Sequence, residues 1–361
     1  MAIEISSPRD ESECSEFVEF YDRVYEDRPV RWSADTEMWL PVLLGESAFV
    51  KDRELRPFVA REGGEVVARV LAVADARYMR HWNERLGHLV WFEALPDTGE
   101  AVRALMDTAC GWLAERNLPA ARTGSLIGMF DMPFAIDTYG VLPPHMLRQN
   151  PGHYHTLIKR AGFETEQGYV DYQLEVTPEL QERWQGSVDA ARAGGYQILP
   201  ASEVPAERRT RDFTFTLNDT FKTHWGWTPF SEEECQGLLD GNEMAGNLET
   251  TSMAYLDDEP VGVFFCPPDD TSQAILAPGR ELAPRERLNA VGIGVREPAR
   301  GRGINYAMGG LSFLELARRG HVRIAYTLVL DDNWASRRTG EGLGCELCGN
   351  YVTYRRDFAR R

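Results

Sequence analysis

The feature that most constrains this chain is an internal repeat. Residues 162–172 (GFETEQGYVDY) and residues 344–354 (GCELCGNYVTY) both fit the pattern GxExxxxYVxY, and 344 − 162 places them 182 residues apart in a chain of 361. Each copy stands near the end of one half of the chain. Repetition at a fixed spacing indicates two copies of one structural unit. We therefore expect two halves with the same order of helices and strands.

The segments around the repeat predict the fold class. Residues 58–67 and 253–262 each consist of two strand-like runs around a polar turn. Strand patterns alternate with helical ones in both halves, which favours an α/β fold with a mixed sheet covered by helices on both faces. The predicted organisation is a first domain of residues 1–176, a connecting helix of residues 177–195 and a second domain of residues 196–361.

Residues 288–305 (LNAVGIGVREPARGRGIN) predict a site for an anion. A Val- and Ile-rich strand over residues 288–295 is followed by a glycine-containing loop and a helix that begins near Ile304. The small residues in Arg300-Gly301-Arg302-Gly303 allow backbone amides to surround a ligand. The unpaired N–H groups and the positive dipole end of the helix point to the same place, so a diphosphate is the expected ligand.

The charge balance excludes one class of partner. Asp and Glu number 56 and Lys and Arg number 39, which gives a net charge of −17. An acidic protein without a large basic patch repels phosphate polymers, so nucleic acid is not expected as a partner. No basic, apolar leader opens the chain, and no run approaches about 20 apolar residues. We therefore expect no export, no membrane span and a cytoplasmic location.

Two other groups of residues do not predict a metal site. Cys345 and Cys348 form one CxxC pair, which lacks the second pair of ligands that zinc requires. His145, His153 and His155 cluster near a loop, but no carboxylate stands at a ligand spacing from them. Six scattered cysteines in a long chain are expected to be reduced thiols. A long segment rich in Gly, Pro, Met and Phe, residues 126–150, is either a lid or a packed surface loop.

With these motifs, the chain resembles the GNAT acyltransferase superfamily. The diphosphate loop of that superfamily, [RQ]-x-x-G-x-[GA], matches residues 300–305, and a later Asn before a helix that ends at Gly matches Asn333 and Gly344. The resemblance covers the whole chain as a tandem pair of mostly antiparallel GNAT-like domains. The first half has ALPDTGE (residues 94–100) in place of the loop. The resemblance therefore implies that only the second half binds the donor, acetyl-CoA or another acyl-CoA.

Carried onto this sequence, the resemblance also implies a set of donor-binding residues. GNAT enzymes splay two adjacent parallel strands, and the central strand holds the pantetheine arm; the opposite wall here is residues 326–330. The residues implied to bind the acyl donor are Ile293, Gly294, Val295, Arg300, Gly301, Arg302, Gly303, Ile304, Asn305, Asn333 and Ser336.

Two positions depart from the superfamily pattern. Asn305 stands where the loop ends in a small residue, which narrows the approach to the phosphates. Gly340 stands seven residues after Asn333, where many GNAT enzymes have the Tyr that protonates the leaving thiolate. The resemblance therefore does not identify the general acid.

Three residues are candidates for proton transfer. Tyr351 and Tyr354 on the last strand carry phenols that can donate to a thiolate, although strand aromatics often only pack in a core. His224, in the motif HWGW, lies on the acceptor side of the GNAT fold and is a candidate base or a structural hydrogen-bonding residue. Trp225, Trp227 and Phe230 are candidates for an apolar acceptor pocket or for core packing.

The predicted function is acyl-CoA dependent N-acyltransfer, with acetyl as the expected group, to an amine of a small molecule that binds between the halves. A non-catalytic acyl-CoA-binding or sensor protein is an alternative, because the usual Tyr is missing. An aminoacyl-tRNA-dependent transferase is a further alternative, against which the charge of −17 argues. A dinucleotide site fails because Tyr306 stands at the third glycine of GxGxxG. The chain is expected to be a monomer or a homodimer.

Overall fold

The structure is a computed structural model that describes residues 2–127, 131–145, 147–269 and 271–358. Its first half contains β1 (Ile3–Ser6), α1 (Glu11–Val24), β2 (Val30–Trp32), α2 (Thr36–Leu43), β3 (Arg53–Glu62), β4 (Glu65–Asp75), α3 (Ala76–Trp82), β5 (Gly87–Ala94), α4 (Gly99–Glu115), β6 (Ala120–Thr123), β7 (Phe134–Ala135), α5 (Tyr154–Arg160) and β8 (Glu164–Glu175).

The connecting helix α6 (Pro178–Ala193) leads into the second half. Its start follows from local chemistry, because the Thr177 side chain accepts a hydrogen bond from the amide of Leu180 and Pro178 occupies the first turn. The second half contains β9 (Gln197–Pro200), α7 (Ala206–Phe221), α8 (Glu232–Met244), β10 (Ser252–Leu256), β11 (Glu259–Phe265), β12 (Ala274–Leu276), β13 (Gly292–Val295), α9 (Ile304–Arg318), β14 (Arg323–Leu330), α10 (Trp334–Leu343) and β15 (Glu346–Asp357).

The two halves share one large sheet because they exchange their last strands. The order in this sheet is β1-β3-β4-β5-β6-β15-β8-β14, with β7 also paired to β15. The last strand of the chain, β15, thus lies next to β6 of the first half, whereas β8 lies next to β14 of the second half. A smaller sheet of the second half has the order β13-β11-β10-β9. The pairs in both sheets are antiparallel except β5 with β6.

The two copies of the repeated motif pair with each other at the centre of the large sheet. β8 and β15 run antiparallel, with Tyr169 opposite Tyr351 and Val170 opposite Asn350. The strands beyond them, β14 and β6, hold equivalent places in the two halves. The repeat found in the sequence therefore marks the place where the halves join.

Helices cover both faces of the sheets, as the sequence predicts. Val70 and Ala72 of β4 pack in one core with α4 and α5, while the alternate residues Leu71 and Val73 pack in another core with α1 and α2. The smaller sheet is covered in the same way, by α6 and α9 on one face and by α7 and α8 on the other. The predicted fold class, mixed α/β with a mostly antiparallel sheet, is confirmed.

The strand predicted over residues 288–295 is shorter in the structure and begins at Gly292. The side chain of Asn289, which is fully buried, hydrogen-bonds both the amide and the carbonyl of Ala325 on β14, at 2.9 and 3.0 Å. A side chain therefore links these two segments where a strand pair would otherwise form. Beyond this link β13 and β14 separate, and each is the edge of a different sheet.

Several elements of the first half have no clear signal in the sequence. β2 pairs with β12 of the second half, and α3 follows β4 directly. The predicted loop of residues 126–150 contains β7, and residues 128–130 and 146 of that loop lie outside the described residues. Within the described ranges, no helix has the length and hydropathy needed to cross a bilayer.

Candidate functional site

A cavity of about 670 Å³ lies between β13 and β14, where the two strands separate. We call it the interstrand cavity. Its walls come from β13, from β14, from the end of α7 with the segment after it, from the turn before α9 and from the first turns of α10. It lies where the splayed strands of a GNAT fold are expected. The gap is open because neither strand has a backbone partner on the side that faces the other.

The turn before α9 is suited to an anion by its backbone geometry. Gly301 and Gly303 have φ of 73° and 76°, in the left-handed region that favours glycine. α9 begins directly after Gly303, and no described side chain caps this end. The backbone amide of Tyr306 donates to the carbonyl of Gly303 at 3.1 Å. The amides before it therefore have no acceptor within the helix. These amides and the positive end of the helix dipole face the region next to the cavity, which is the arrangement that favours an anion.

The β13 wall depends on a glycine that allows close packing. A Cβ atom at Gly294 would lie 2.5 Å from the Cβ of Thr220 on α7 and closer still to its hydroxyl. The helix can therefore pack against β13 only because position 294 has no side chain. This packing holds Ile293, Gly294 and Val295 along one wall, with residues 326–330 opposite.

On the α10 side, the structure places a phenol in the cavity wall that the resemblance to the superfamily did not identify as a candidate acid. The ring of Tyr326 lies over Gly340, so that a Cβ atom at position 340 would lie 3.0 Å from the ring carbon Cδ1. The Tyr326 hydroxyl is 2.9 Å from Oγ of Ser336, which also lines the cavity. Burial raises the pKa of Tyr326 above its usual value. Position 340 has no Tyr, but the neutral phenol of Tyr326 on the facing strand β14 lies next to that position.

A further hydrogen bond connects α10 to the turn before α9. Thr339, which lines the cavity on α10 as Ser336 does, accepts a hydrogen bond from Nδ2 of Asn305 at 2.9 Å. The Asn333 side chain accepts a hydrogen bond from the backbone amide of Ser336 at 3.2 Å and so caps the start of α10. Asn305, the departure from the loop pattern, thus fixes the turn relative to α10.

Eight of the eleven predicted donor-binding residues line the cavity. They are Ile293, Gly294, Val295, Arg300, Gly301, Asn305, Asn333 and Ser336. Arg302, Gly303 and Ile304 lie on the same turn but outside the wall; the Ile304 side chain is buried in the core, whereas Arg302 is exposed. A contribution from these three residues is therefore confined to backbone amides and, for Arg302, to charge at the surface.

The three candidates for proton transfer lie in three different environments. His224 lines the cavity, and burial lowers the pKa of its imidazole, which is therefore neutral at pH 7. Tyr351 is buried, and burial together with the neighbouring Asp171 raises the pKa of its phenol. Tyr354 is buried in the core of the first half, with its hydroxyl 2.6 Å from Nδ1 of His155. Because strand exchange carries Tyr354 into that core, its position does not support the role of acid.

Asp171 of the first half shapes the wall of the second. Its carboxylate accepts a hydrogen bond from the backbone amide of Leu328 at 2.6 Å. Leu328 lies at a bulge of β14 and has φ of 50°. Burial raises the pKa of Asp171 to about 7. The sequence offers no signal for this contact, which arises only because β8 lies next to β14.

The predicted acceptor wall is divided between cavity and core. Trp225 lines the cavity together with Phe221 and His224. Trp227 stacks on Phe221 with ring centres 4.8 Å apart, and Phe230 is buried in the core between α7 and α8. The apolar end of the cavity is therefore formed by Trp225 with Leu328 and Leu330.

The corresponding strands of the first half are closed at their start. β5 and β6 pair in parallel from Gly87 opposite Ala121 to Leu89 opposite Thr123. His153 and His155 hydrogen-bond to the backbone carbonyls of Ala94 and Ala135. Among the described residues, no group of three His, Cys, Asp or Glu side chains is placed to hold a metal ion.

Comparison with known proteins agrees with this geometry. No protein-family model matches the chain. The chain is 23% identical over 364 residues to a bacterial ceramide synthase from Caulobacter vibrioides, and the match covers 91% of each protein.

Among solved structures, a tandem GNAT protein from the clavulanic acid biosynthesis pathway covers all of both chains with a TM-score of 0.60 and 12% identity. A GCN5-related N-acetyltransferase from Sphaerobacter thermophilus has a TM-score of 0.53 and 14% identity, over 98% of this chain and 95% of that one. This chain therefore has the fold of the tandem GNAT proteins.

Proposed function

We propose that the protein is an acyl-CoA dependent N-acyltransferase that transfers an acyl group to an amine of a small molecule. The observation that carries the proposal is the gap between β13 and β14, which ends at the uncapped start of α9. A diphosphate at the turn and an extended arm along a strand edge are the two parts of coenzyme A that such a gap accommodates.

The donor binds mainly through backbone groups. In the proposal, the amides of residues 301–305 hold the diphosphate, and Arg300, which is exposed at the mouth of the cavity, adds positive charge. The unpaired edge of β13 at residues 293–295 holds the pantetheine arm and polarises the thioester carbonyl. The thioester then lies near the segment that follows α7.

The chemistry needs one base and one acid. The free amine attacks the thioester carbonyl, the C–N bond forms, and the nitrogen proton passes to neutral His224, directly or through water. The tetrahedral intermediate collapses with cleavage of the C–S bond, and the thiolate takes a proton from the Tyr326 hydroxyl. The products are an amide and free coenzyme A, and solvent restores both side chains.

The similarity to a ceramide synthase bears on the acceptor. Ceramide is the amide of a long-chain amino alcohol and a fatty acid, so that relative's name is consistent with N-acyl transfer. The apolar end of the interstrand cavity, at Trp225, Leu328 and Leu330, suits an apolar group on either the donor or the acceptor. Donors from acetyl-CoA to long-chain acyl-CoA and acceptors that include long-chain amino alcohols are therefore the ones to test.

Donor binding is tested with matched glycine variants. The double variant Gly301→Ala, Gly303→Ala forces side chains onto φ of 73° and 76°, and Gly45→Ala, Gly279→Ala does so at 80° and 78° in open surroundings elsewhere. Both double variants incur similar backbone strain. Titration calorimetry with acyl-CoA is expected to show at least tenfold weaker binding for the first double variant only. Equal affinity in the two would overturn the proposed donor site.

Turnover distinguishes an enzyme from a binding protein. Release of free thiol is followed while the protein is mixed with each acyl-CoA and each amine. Amine-dependent release, with the amide detected by mass spectrometry, supports the transferase. Tight donor binding without release for any amine would instead favour a non-catalytic acyl-CoA-binding protein.

A further inference from the structure

The first half contains a second cavity, of about 150 Å³, on the α1 and α2 face of β4 and β5. We call it the aromatic cavity. Its apolar wall consists mainly of aromatic rings: Tyr21, Tyr25, Trp32, Trp39 and Trp91. The cavity is separate from the interstrand cavity, and the two have no lining residue in common.

The backbone of β5 is strained where it forms this wall. Trp91 has φ of 55°, which is rare for a bulky side chain, at a bulge in the pairing of β5 with β4. Its ring meets that of Trp39 edge to face, with centres 4.9 Å apart. Strained residues of this kind cluster at sites that hold ligands. The strain thus adds to the cavity itself as an indication of a binding site.

The polar side of the cavity is a buried network of balanced charges. Glu93 accepts hydrogen bonds from the hydroxyls of Tyr25 and Tyr154 at 2.9 and 2.6 Å. Arg148 pairs with Asp131 and lies 3.5 Å from Glu93. These buried groups give the aromatic cavity one polar side.

Two further side chains of the wall each keep one polar atom unpaired. Arg69 is only 6% exposed and donates to the carbonyl of Val18 at 2.9 Å, but its Nε has no partner among the described residues. Gln149 is 4% exposed and donates to the carbonyl of Val30 at 2.9 Å, but its Oε1 has no partner within the same ranges. Both atoms are shielded from water. One hydrogen-bond donor and one acceptor therefore remain to be satisfied.

We propose that the aromatic cavity binds a neutral, planar, single-ring carboxamide. An engineered protein cavity of about 150 Å³ holds one benzene ring, so a coenzyme A molecule is far too large for this one. The ring lies among the indole and phenol side chains. In the proposal both side chains turn towards the cavity when the ligand binds, so that its carbonyl accepts from Nε of Arg69 and its amide N–H donates to Oε1 of Gln149. A neutral group is favoured at the deeply buried side of the wall, because Arg69 and Arg148 there balance Glu93 and Asp131.

Asp35, at the start of α2, is the remaining carboxylate of the wall. Its charge adds one more negative group to the wall, which makes the ligand's charge the critical point of the test. Benzamide, benzoate and benzylamine have similar size and differ in charge. We expect saturable quenching of tryptophan fluorescence by benzamide at about 0.1 to 10 mM, and binding at least tenfold weaker for the other two. Stronger binding of benzoate or benzylamine, or no binding of benzamide, would overturn the proposal.

Variants locate the binding. Gln149→Leu removes the free acceptor and Ala34→Leu fills the cavity, whose wall includes Ala34, so both are expected to weaken benzamide binding at least tenfold. Gln185→Leu, on the surface of α6, is the matched control and should bind benzamide as the unaltered chain does. Thermal melts of all variants identify any that fail to fold. Unchanged benzamide affinity in a folded Gln149→Leu variant would refute the assigned contacts, whatever the result for acyl-CoA turnover.

Discussion

Replacement of Tyr326 by Phe removes a single hydroxyl group from the wall of the interstrand cavity. The ring still fills the space above Gly340, so the packing of β14 against α10 is kept. The lost group is the hydrogen-bond partner of Ser336. If this phenol protonates the leaving thiolate, the change acts on the rate of the chemical step and leaves the affinity for the acyl donor nearly unchanged.

The expected size of the effect follows from the role of a general acid. Proton transfer by a positioned side chain contributes about 10² to 10⁴ in rate, which corresponds to roughly 3 to 5 kcal/mol of activation free energy. The loss of one hydrogen bond to a neutral partner costs only about 1 kcal/mol of folding stability. The fall in kcat is therefore much larger than the accompanying change in stability explains.

Single-turnover measurement of acyl transfer, with enzyme in excess over acyl-CoA, isolates the chemical step from product release. Tyr255→Phe is the matched control, because Tyr255 is also a buried tyrosine of the second half, with its hydroxyl bonded to Asp212 away from the cavity. We expect a fall of at least 100-fold for Tyr326→Phe and less than threefold for Tyr255→Phe. A rate within threefold of the unaltered enzyme for Tyr326→Phe would refute the assignment.

Two further predictions concern the walls of the same cavity. Gly294→Ala places a Cβ atom 2.5 Å from the Cβ of Thr220, whereas the Cβ atom of Gly292→Ala, on the same strand, has its nearest neighbour 4.0 Å away. Urea unfolding is expected to show a free energy of unfolding that is about 1 to 3 kcal/mol lower for Gly294→Ala than for Gly292→Ala. The Gly294→Ala variant is also expected to bind acyl-CoA more weakly. Equal stability of the two would show that α7 does not pack against β13 as described. For Asp171, burial raises the pKa to about 7, above about 3.9 in the unfolded chain, so its contribution to stability is complete below about pH 4 and is lost as the pH rises towards 7. Relative to Asp171→Asn, the unaltered protein should lose roughly 3 kcal/mol of stability between pH 4 and pH 7, as measured by unfolding curves, and parallel pH profiles would contradict this pKa.

Some parts of the site could be predicted from the sequence and others could not, for a physical reason. The turn at residues 300–305 could be predicted because glycines that permit positive φ and a helix start are local features of the chain. The place of Tyr326 in the cavity wall could not be predicted, because it depends on which face of β14 meets α10 and on the space left by Gly340. Aromatic residues on strands have the same appearance in the sequence whether they pack in a core or line a site.

Asn289 gives a second example of the same limit. Its neighbours are apolar, and the sequence pattern extends a strand through it to residue 288. In the structure its side chain takes over the hydrogen bonds that a strand pair would make with Ala325, and the splay between β13 and β14 begins beyond it. Such a replacement of backbone by side chain requires the partner strand to be present.

The sequence by itself determined that the chain is built from two similar α/β units and that the second contains a glycine turn at the start of a helix. Only the tertiary structure decided which terminal strand joins which half. β8 and β15 have the same motif, so their side chains suit either position, and local preference does not choose between them. The exchange is settled by contacts between distant segments, which place Asp171 beneath the interstrand cavity and bury Tyr354 in the opposite core.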